Sequence, residues 1–400
     1  MKALTRFAIG LVGENMAVAD VSSGQVTFLN ASASVVWLSL SEGERSESEL
    51  LKLFDEMPVH GQPIRDDAVR NILREFETLG WVEKAGDGLW RMKAGRAANL
   101  QWTESNPLAN DFTGQLWSRQ VRVSNAAFLL TIAAESGADE NGDFARLSGF
   151  LGGLPRDLGG RPDAALSLAI RAGGIEVRNG PKAALFKDVQ TASGVLLRLA
   201  IEYSYPDARN HTTLHAGAVC GPEGAILLPA VSGAGKTTLT GFLVARGWRY
   251  CGDDVVGLGR MGATGEICLL PFPTALGIKD GSVEILRSYF PSLSDVSPVA
   301  YGAKSVRFFA CDGGRGAIDE SWRKLRALVF PTFAADANLH LEAISETDAL
   351  RLILQSGWGN GVEFDRHGFE LLVEAVNTLP RYRLEYSSLE AAASALEHLP

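Results

Sequence analysis

The chain has 400 residues, which suggests two or three domains rather than one. It is 46% hydrophobic and 21% charged, which is ordinary for a globular protein, and no apolar run reaches the roughly 18–20 residues that span a bilayer. The net charge of −9 argues against general binding to nucleic acid or to an anionic membrane, because these polyanions do not attract an acidic surface. The four cysteines stand singly, so neither a zinc site nor a disulfide framework is indicated. We expect a cytoplasmic protein and leave a homo-oligomer open.

Residues 1–93 are predicted to form one small domain. The opening stretch has a short apolar run broken by Glu14, which we interpret as a strand rather than a signal peptide. The pattern then predicts a strand over Val26–Asn30 and a helix within Ala31–Leu40. A capping box of Ser46 and Glu49 predicts the start of a second helix. A third helix is predicted over Ala68–Leu79, ending at Gly80, and a hairpin over 81–92. Helices followed by such a hairpin are typical of a winged-helix module, a small α+β fold.

The segments FLNASASVVWLSL and DDAVRNILREFETLGWVE resemble the PqqD-type peptide chaperones, also called leader-peptide recognition elements. The resemblance covers roughly residues 10–92. It implies that this domain captures a peptide or protein, such as a precursor peptide of a modified-peptide pathway. A purely structural or regulatory role stays open. DNA binding is less favoured, since the third predicted helix carries Asp67, Glu75 and Glu77 beside Arg70 and Arg74.

Residues 94–114 are polar and small, with several turn formers, and are predicted to be a linker. After them, VRVSNAAFLLTIA predicts one strand and residues 137–165 predict loops. LSLAIRAGGIEVRNG predicts a hairpin, and Val189–Pro206 predicts a helix. These elements open a second, α/β domain over 115–400.

The stretch PAVSGAGKTTL, Pro229–Leu239, lies between a predicted strand over Gly224–Ala230 and a helix that ends at Gly247. A strand, a glycine-rich loop with Lys-Thr and a helix form the context that a phosphate-binding loop needs. The residues predicted to contact the nucleotide are Ser232, Gly233, Ala234, Gly235, Lys236, Thr237 and Thr238.

These residue types suit the chemistry of ATP and Mg²⁺. Gly233 and Gly235 permit positive φ, which turns backbone N–H groups toward phosphates, and the helix N-terminus adds partial positive charge. Lys236 can reach the outer phosphates as a point charge, and the Thr237 hydroxyl can bind the metal.

One position departs from the usual spacing, because Ala230 stands where the first glycine is expected. A positive φ at an alanine would cost roughly 1–2 kcal/mol, whereas a negative φ costs almost nothing. We predict a negative φ at Ala230 and a functional loop.

An acidic pair, Asp253 and Asp254, lies 17 and 18 residues after Lys236, and His215 precedes the strand that enters the loop. Residues 214–256, LHAGAVCGPEGAILLPAVSGAGKTTLTGFLVARGWRYCGDDVV, resemble the HPr serine kinase/phosphorylases, whose fold is similar to that of phosphoenolpyruvate carboxykinase. The resemblance implies a P-loop kinase core with His215 and Lys236 in the active site.

For the two aspartates, the resemblance implies one general base and one partner of Mg²⁺. We assign Asp253 as the base and Asp254, with Thr237, to the metal, although the sequence does not fix their order. Adjacent carboxylates suit these roles because like charges raise one pKa while a metal lowers the other.

Two departures from the family pattern suggest a different substrate. Thr237 and Thr238 follow Lys236 where the family usually has Ser and Glu, and the family's Arg-Gly-rich stretch ending in Gly-Ile-Leu-Asp is missing. Its absence implies that phosphorylase activity is lost. In its place, Lys279 is a candidate contact for substrate or phosphate, and Lys304 and Arg307 are predicted to lie on a loop over the site.

The sequence therefore predicts a peptide-binding winged-helix domain fused to a kinase that phosphorylates a Ser or Thr hydroxyl of the captured peptide or protein. Two alternatives stay open. One is a small-molecule kinase with a regulatory amino-terminal module, and the other is a nucleotide-dependent regulatory ATPase without kinase activity.

Overall fold

The structure is a computed structural model that describes residues 6–56, 66–94, 101–104, 113–157, 159–262, 265–301, 304–311, 318, 321–357 and 366–399. Its contacts divide the chain into two units. Unit 1 comprises Met1–Asn99 with Glu363–Asn377, and unit 2 comprises Leu100–Val362 with Thr378–Pro400. The carboxy-terminal domain expected over 115–400 is therefore interrupted by a segment that belongs to unit 1. Most of the predicted linker lies outside the described residues.

The strands of the described chain are β1 Phe7–Val12, β2 Asn15–Asp20, β3 Gln25–Leu29, β4 Val82–Lys84, β5 Trp90–Met92, β6 Thr103–Glu104, β7 Gly114–Val123, β8 Ala126–Glu135, β9 Ala164–Arg171, β10 Gly174–Asn179, β11 Lys182–Phe186, β12 Arg209–Leu214, β13 Ala216–Gly221, β14 Gly224–Pro229, β15 Arg249–Gly252, β16 Val256–Met261, β17 Glu266–Leu270, β18 Leu276–Lys279, β19 Val299–Tyr301, β20 Lys304–Phe309, β21 Arg323–Phe333, β22 His340–Ala343 and β23 Arg381–Tyr386. The α-helices are α1 Ala31–Glu42, α2 Glu47–Glu56, α3 Asp66–Thr78, α4 Asp143–Leu151, α5 Val189–Ser204, α6 Lys236–Ala245, α7 Asp280–Arg287, α8 Glu346–Ser356, α9 Arg366–Thr378 and α10 Leu389–Glu397. No helix in the described residues is long and apolar enough to cross a membrane.

Helices α1 and α2 begin where the sequence predicts, whereas α3 begins at Asp66, two residues before the expected Ala68. Asn30 caps α1 by accepting from the Ala33 N–H at 2.9 Å. The predicted capping box is present, because the Ser46 N–H donates to Glu49 at 2.7 Å and the Glu49 N–H donates to the Ser46 hydroxyl at 3.3 Å. The single strand expected at the start of the chain is instead an antiparallel hairpin of β1 and β2, with Gly13 at φ 58° in its turn.

The core of unit 1 is aromatic. Phe7 packs edge-on against Trp37 and Trp81 with ring centroids 5.8 and 5.4 Å apart. Helix α9 covers β1, since Asn377 donates to the Leu11 carbonyl at 2.7 Å and a side chain at Gly10 would lie 2.7 Å from Val373. These contacts explain why residues 363–377 group with unit 1.

The described residues of unit 2 form a mixed sheet in the strand order β6-β11-β10-β9-β8-β7. Strands β8 and β9 are parallel, and the other neighbours are antiparallel. The predicted β9–β10 hairpin and helix α5 are confirmed, but the strand expected over VRVSNAAFLLTIA is two strands, β7 and β8, joined by a turn with Ser124 at φ 52°. Helix α4 replaces part of the loops expected over 137–165. Asp139 stabilises its start by accepting from the N–H groups of Asp143 and Phe144 at 2.8 and 3.0 Å.

A larger mixed sheet positions the candidate site. Its described strands run in the order β12-β16-β17-β21-β14-β13-β15, and β23 pairs with β21 while β22 pairs with β23. Strand β14 is buried and pairs parallel with β21 and antiparallel with β13. The prediction of an α/β protein is confirmed as a mixed α/β architecture.

Candidate functional site

The loop of residues 230–235 connects β14 to α6. Gly233 and Gly235 have φ of 96° and 90°, and Gly235 is the N-cap of α6 without a side-chain cap. A side chain at Gly235 would lie 2.7 Å from the Tyr386 hydroxyl and 2.9 Å from Phe333 Cβ, so glycine is required for space as well as for φ. The first N–H groups of α6 therefore have no capping side chain and suit an anion.

The backbone at Ala230 is as predicted. In the described chain, the non-glycine residues with positive φ are Ser124, Asn210 and Asp254, so Ala230 keeps a negative φ. Its side chain is buried directly after β14. The missing glycine therefore imposes no backbone strain.

Lys236 is buried and lies against both acidic residues. Its Nζ is 2.8 Å from Asp253 Oδ1 and 2.5 Å from Asp254 Oδ1. The Thr237 hydroxyl donates to Asp253 Oδ2 at 2.7 Å. These groups meet because β13 pairs with both β14 and β15, which brings the end of β15 beside the loop.

The two aspartates have different environments. Asp253 is fully buried, whereas the side chain of Asp254 is 39% exposed. Asp254 also has a φ of 68°, a left-handed conformation that is uncommon outside glycine and that concentrates at functional sites.

The two carboxyl groups also differ in pKa. Burial raises the pKa of Asp253, and the neighbouring charge of Asp254 adds to this effect. Burial acts to raise the pKa of Asp254, but the positive charge of Lys236, its hydrogen bond and other neighbouring groups together outweigh burial and lower this pKa to about 2. Asp254 is therefore ionised at neutral pH.

His215 lies in the bend between β12 and β13, beside the acidic pair. Its Nε2 is 3.8 Å from Asp254 Oδ1. Burial lowers the pKa of His215, and the positive charge of Lys236 lowers it further. We expect a neutral imidazole at pH 7, which can hydrogen-bond a ligand without adding charge.

Lys279 is brought to the loop by β18. Its Nζ donates to the Ser232 hydroxyl at 3.0 Å. Lys304 and Arg307 belong to strand β20 rather than to the loop expected over the site, and Arg307 pairs with Asp280 at 2.8 Å. The side chain of Lys304 lies outside the described residues.

Sequence reasoning missed several residues that support this site. Gly217 on β13 leaves room for the side chains of α6. A side chain at this position would lie 2.4 Å from the Thr240 hydroxyl and 3.3 Å from Lys236 Cγ. Tyr386 fixes the loop by donating to the Gly235 carbonyl at 3.4 Å. Gly217 lies two residues after His215, within the segment that resembles the kinase family, so its position could have been noticed. Nothing in the sequence links Tyr386, 151 residues after Gly235, to the loop.

The donors around Lys236 fit Mg²⁺ only with help from a ligand. The described residues contain no group of three or more His, Cys, Asp and Glu that could hold a metal by themselves. The Thr237 hydroxyl and the two carboxylates are hard oxygen donors, and Mg²⁺ commonly takes one or two carboxylates together with phosphate oxygens. The residues present therefore fit a metal that arrives with a nucleotide.

Comparisons with known proteins give little further information. No family model and no curated protein match the chain. One solved structure that is similar in part is the HPr(Ser) kinase/phosphatase from Coxiella burnetii, which is 11% identical, with the alignment covering 46% of this chain and 93% of that one at a TM-score of 0.21. At this TM-score the similarity supports neither a shared fold nor a shared activity.

Proposed function

We propose that the chain is an ATP-dependent phosphotransferase that moves the terminal phosphoryl group onto a hydroxyl. The observation that carries this proposal is the contact of Lys236 with both Asp253 and Asp254 at the uncapped start of α6. A cation, a helix N-terminus without a capping side chain and two carboxylates are groups that phosphoryl transfer uses, since its catalysis consists of positioning and charge stabilisation.

The contact of Asp253 with Thr237 and the exposure of Asp254, rather than the two pKa values, support an order of the aspartates opposite to the one assigned from sequence. Asp253 is buried against the Thr237 hydroxyl, which suits the metal side, and Mg²⁺ would neutralise charge on the phosphates there. Asp254 is partly exposed and close to His215, which suits a base that receives the acceptor proton. In the step, the acceptor oxygen bonds to the γ-phosphorus, the bond from phosphorus to the β–γ bridging oxygen breaks, Asp254 takes the hydroxyl proton, and ADP leaves.

The class of acceptor has two candidates. The resemblance of residues 10–92 favours a Ser or Thr of a peptide captured by unit 1. A cavity beside Asp254, described below, favours a small molecule, with unit 1 in a regulatory role. Deleting residues 1–95 would not separate these candidates, because it would remove the strand that α9 covers. The intact chain is needed.

The test uses the intact chain with radiolabelled [γ-³²P]ATP and Mg²⁺. The acceptor is supplied by a cell extract that has been separated into two fractions, of molecular mass above and below about 1 kDa. Labelled phosphate monoester is expected in one fraction and should be absent with Lys236→Ala. Asp254→Asn is expected to lower transfer about 10²–10⁴-fold while ATP binding is retained, because it removes only the base. Asp253→Asn should raise the Mg²⁺ concentration required.

Asp295→Asn, at an exposed position away from these contacts, is the matched control and should behave as wild type. Hydrolysis of ATP without a labelled acceptor in either fraction would favour a regulatory ATPase. Failure to bind ATP would overturn the whole proposal. Equal transfer by Asp254→Asn and wild type would refute the assigned base.

A further inference from the structure

Unit 2 contains a cavity of about 490 Å³ that opens beside the carboxylate of Asp254. We propose that this cavity binds a small hydroxyl-bearing molecule with an apolar body, as the phosphoryl acceptor. This inference rests on the proposed function and names the substrate class for it.

The reactive groups lie in one part of the cavity wall. Asp254, His215, Ser232 and Lys279 all line it. An acceptor hydroxyl in this part would contact the carboxylate that we assign as the base. The reaction therefore needs no further group to receive the proton.

The cavity is distinct from the expected position of the nucleotide. Among the residues that could bind phosphates, Ser232 and Lys279 line it, whereas Gly233, Gly235 and Thr237 do not. The N–H groups at the start of α6, which suit the phosphates, therefore lie outside its walls. The cavity borders the loop at Ser232.

The rest of the wall is mostly apolar and comes from elements outside the strand–loop–helix segment. Leu147 and Phe150 of α4, Leu197 of α5, and Val306 and Phe308 of β20 line it. A wall of this composition favours a ligand whose body is hydrocarbon or aromatic.

The contacts between α4 and the strands opposite keep the cavity formed. A side chain at Gly149 would lie 2.6 Å from the Phe308 ring, and one at Gly153 would lie 2.1 Å from the Ala275 nitrogen. The Ala275 N–H also donates to the Phe150 carbonyl at 2.9 Å. Close packing and a backbone hydrogen bond hold this wall in place, so we expect a site that exists before its ligand binds.

Size and charge restrict the occupant further. A volume of about 490 Å³ lies within the range of roughly 300–1,000 Å³ that is typical of small-molecule sites. Gln190 and Ser193 supply hydrogen-bonding groups. Arg146 pairs with Asp143 at 2.9 Å and Asp254 pairs with Lys236 at 2.5 Å, so Lys279 supplies the remaining charge of the lining. A neutral or anionic body is therefore favoured over a cationic one.

The test is a cavity-filling substitution in the intact chain. Ser193 is buried on α5 and lines the cavity, so Ser193→Phe places a ring inside it. Ala145→Phe adds the same ring at an exposed position on α4 that does not line the cavity, and it is the matched control. With [γ-³²P]ATP and the extract fraction below about 1 kDa, we expect labelled monoester with wild type and Ala145→Phe. With Ser193→Phe we expect at least a tenfold loss, the discrimination that a steric change in an apolar pocket produces.

A second variant and a binding measurement keep the result interpretable. Thermal unfolding identifies a variant that fails to fold, and Gly194→Leu, one residue further along the cavity wall, then replaces Ser193→Phe. Anilinonaphthalene sulfonate, an apolar anionic dye, should bind wild type and compete with the labelled transfer, and it should bind Ser193→Phe at least tenfold more weakly.

Three outcomes would overturn the inference while the proposed function survives. In the first, the label is found only in material above about 1 kDa. In the second, Ser193→Phe transfers phosphate as well as wild type. In the third, Ser193→Phe weakens ATP binding more than fivefold, which would place the nucleotide in the cavity. No labelled product in any fraction would instead count against the proposed function itself.

Discussion

Each unit has a buried ion pair, and the two pairs have different surroundings. In unit 1, Arg6 bonds Asp20 at 2.6 Å, and the side chains are 10% and 2% exposed. In unit 2, Lys236 bonds Asp253 at 2.8 Å with side chains 6% and 0% exposed. Burial and distance alone do not distinguish them.

The difference lies in what else each pair contacts. Arg6 also donates to the Gly80 carbonyl at 2.9 Å, and Asp20 accepts from Ser22 at 2.6 Å, so protein groups occupy the remaining hydrogen-bonding positions. Lys236 instead shares its charge with Asp254, which is partly exposed, has a positive φ and lines the cavity. A buried pair that is saturated by its own fold indicates a structural role, whereas one that faces a cavity through a strained residue indicates a functional one.

The largest expected effect is on the stability of unit 1. Arg6→Met leaves the Asp20 carboxylate buried without its cation, which we expect to lower the free energy of unfolding by about 3–5 kcal/mol. Hydrogen exchange of the β1 and β2 amides measures this loss. Arg45→Met, which removes a cation from an exposed pair with Glu42, should cost less than about 1 kcal/mol. Equal effects of the two changes would contradict the structural role of Arg6.

The corresponding change in unit 2 should lower activity in addition to stability, since it too leaves a buried carboxylate without its cation. Under the proposed function, Lys236→Met removes the charge that faces the phosphates, and we expect phosphoryl transfer to fall at least about 10²–10³-fold. The assay is label transfer from ATP. Arg6→Met, measured at a temperature where it is folded, should retain activity. A loss of activity in Arg6→Met as large as in Lys236→Met would remove the distinction between the pairs.

The Arg6–Asp20 pair also predicts that the stability of unit 1 depends on pH. Burial acts to raise the pKa of Asp20, but hydrogen bonds from Arg6 and Ser22 outweigh it and hold this pKa below its usual 3.8. Because the folded pKa is depressed, the stabilisation is complete above the unfolded value near 3.8 and is lost as the pH falls through the folded value. The difference in β1–β2 exchange between wild type and Asp20→Asn should therefore shrink below pH 4 (approximately the ordinary pKa of Asp). A difference that stays constant with pH would show that another group is responsible.

The smallest effects concern the loop itself. Gly235→Ala forces a side chain into a φ of 90° and against Tyr386, so we expect a loss of about 1–3 kcal/mol of stability and weaker ATP binding. Ala230→Gly is the matched change at a position with negative φ, and it should alter stability by less than about 1 kcal/mol. Calorimetric ATP titration and thermal unfolding compare the two. A larger effect at Ala230 than at Gly235 would mean that the first loop position matters after all.

Local sequence predicted many of the elements correctly. The capping box of Ser46 and Glu49, the α5 helix, and the strand and helix around residues 230–235 all depend on neighbours within a few residues. Prediction failed where distant groups decide the outcome. Helix α9 joins unit 1 because its side chains bond carbonyls of β1, more than 350 residues away in the chain.

For the candidate site, the sequence by itself predicted which residues form the loop, the acidic pair and the nearby histidine. Residue type and spacing are sufficient for that prediction, since a phosphate-binding loop depends on local backbone geometry and side-chain charge. Only the tertiary structure decided that Asp253 is buried and Asp254 partly exposed, that Lys279 reaches Ser232, and that α4 and α5 line a cavity beside them. Burial and enclosure depend on packing between segments far apart in the chain, which no local pattern records.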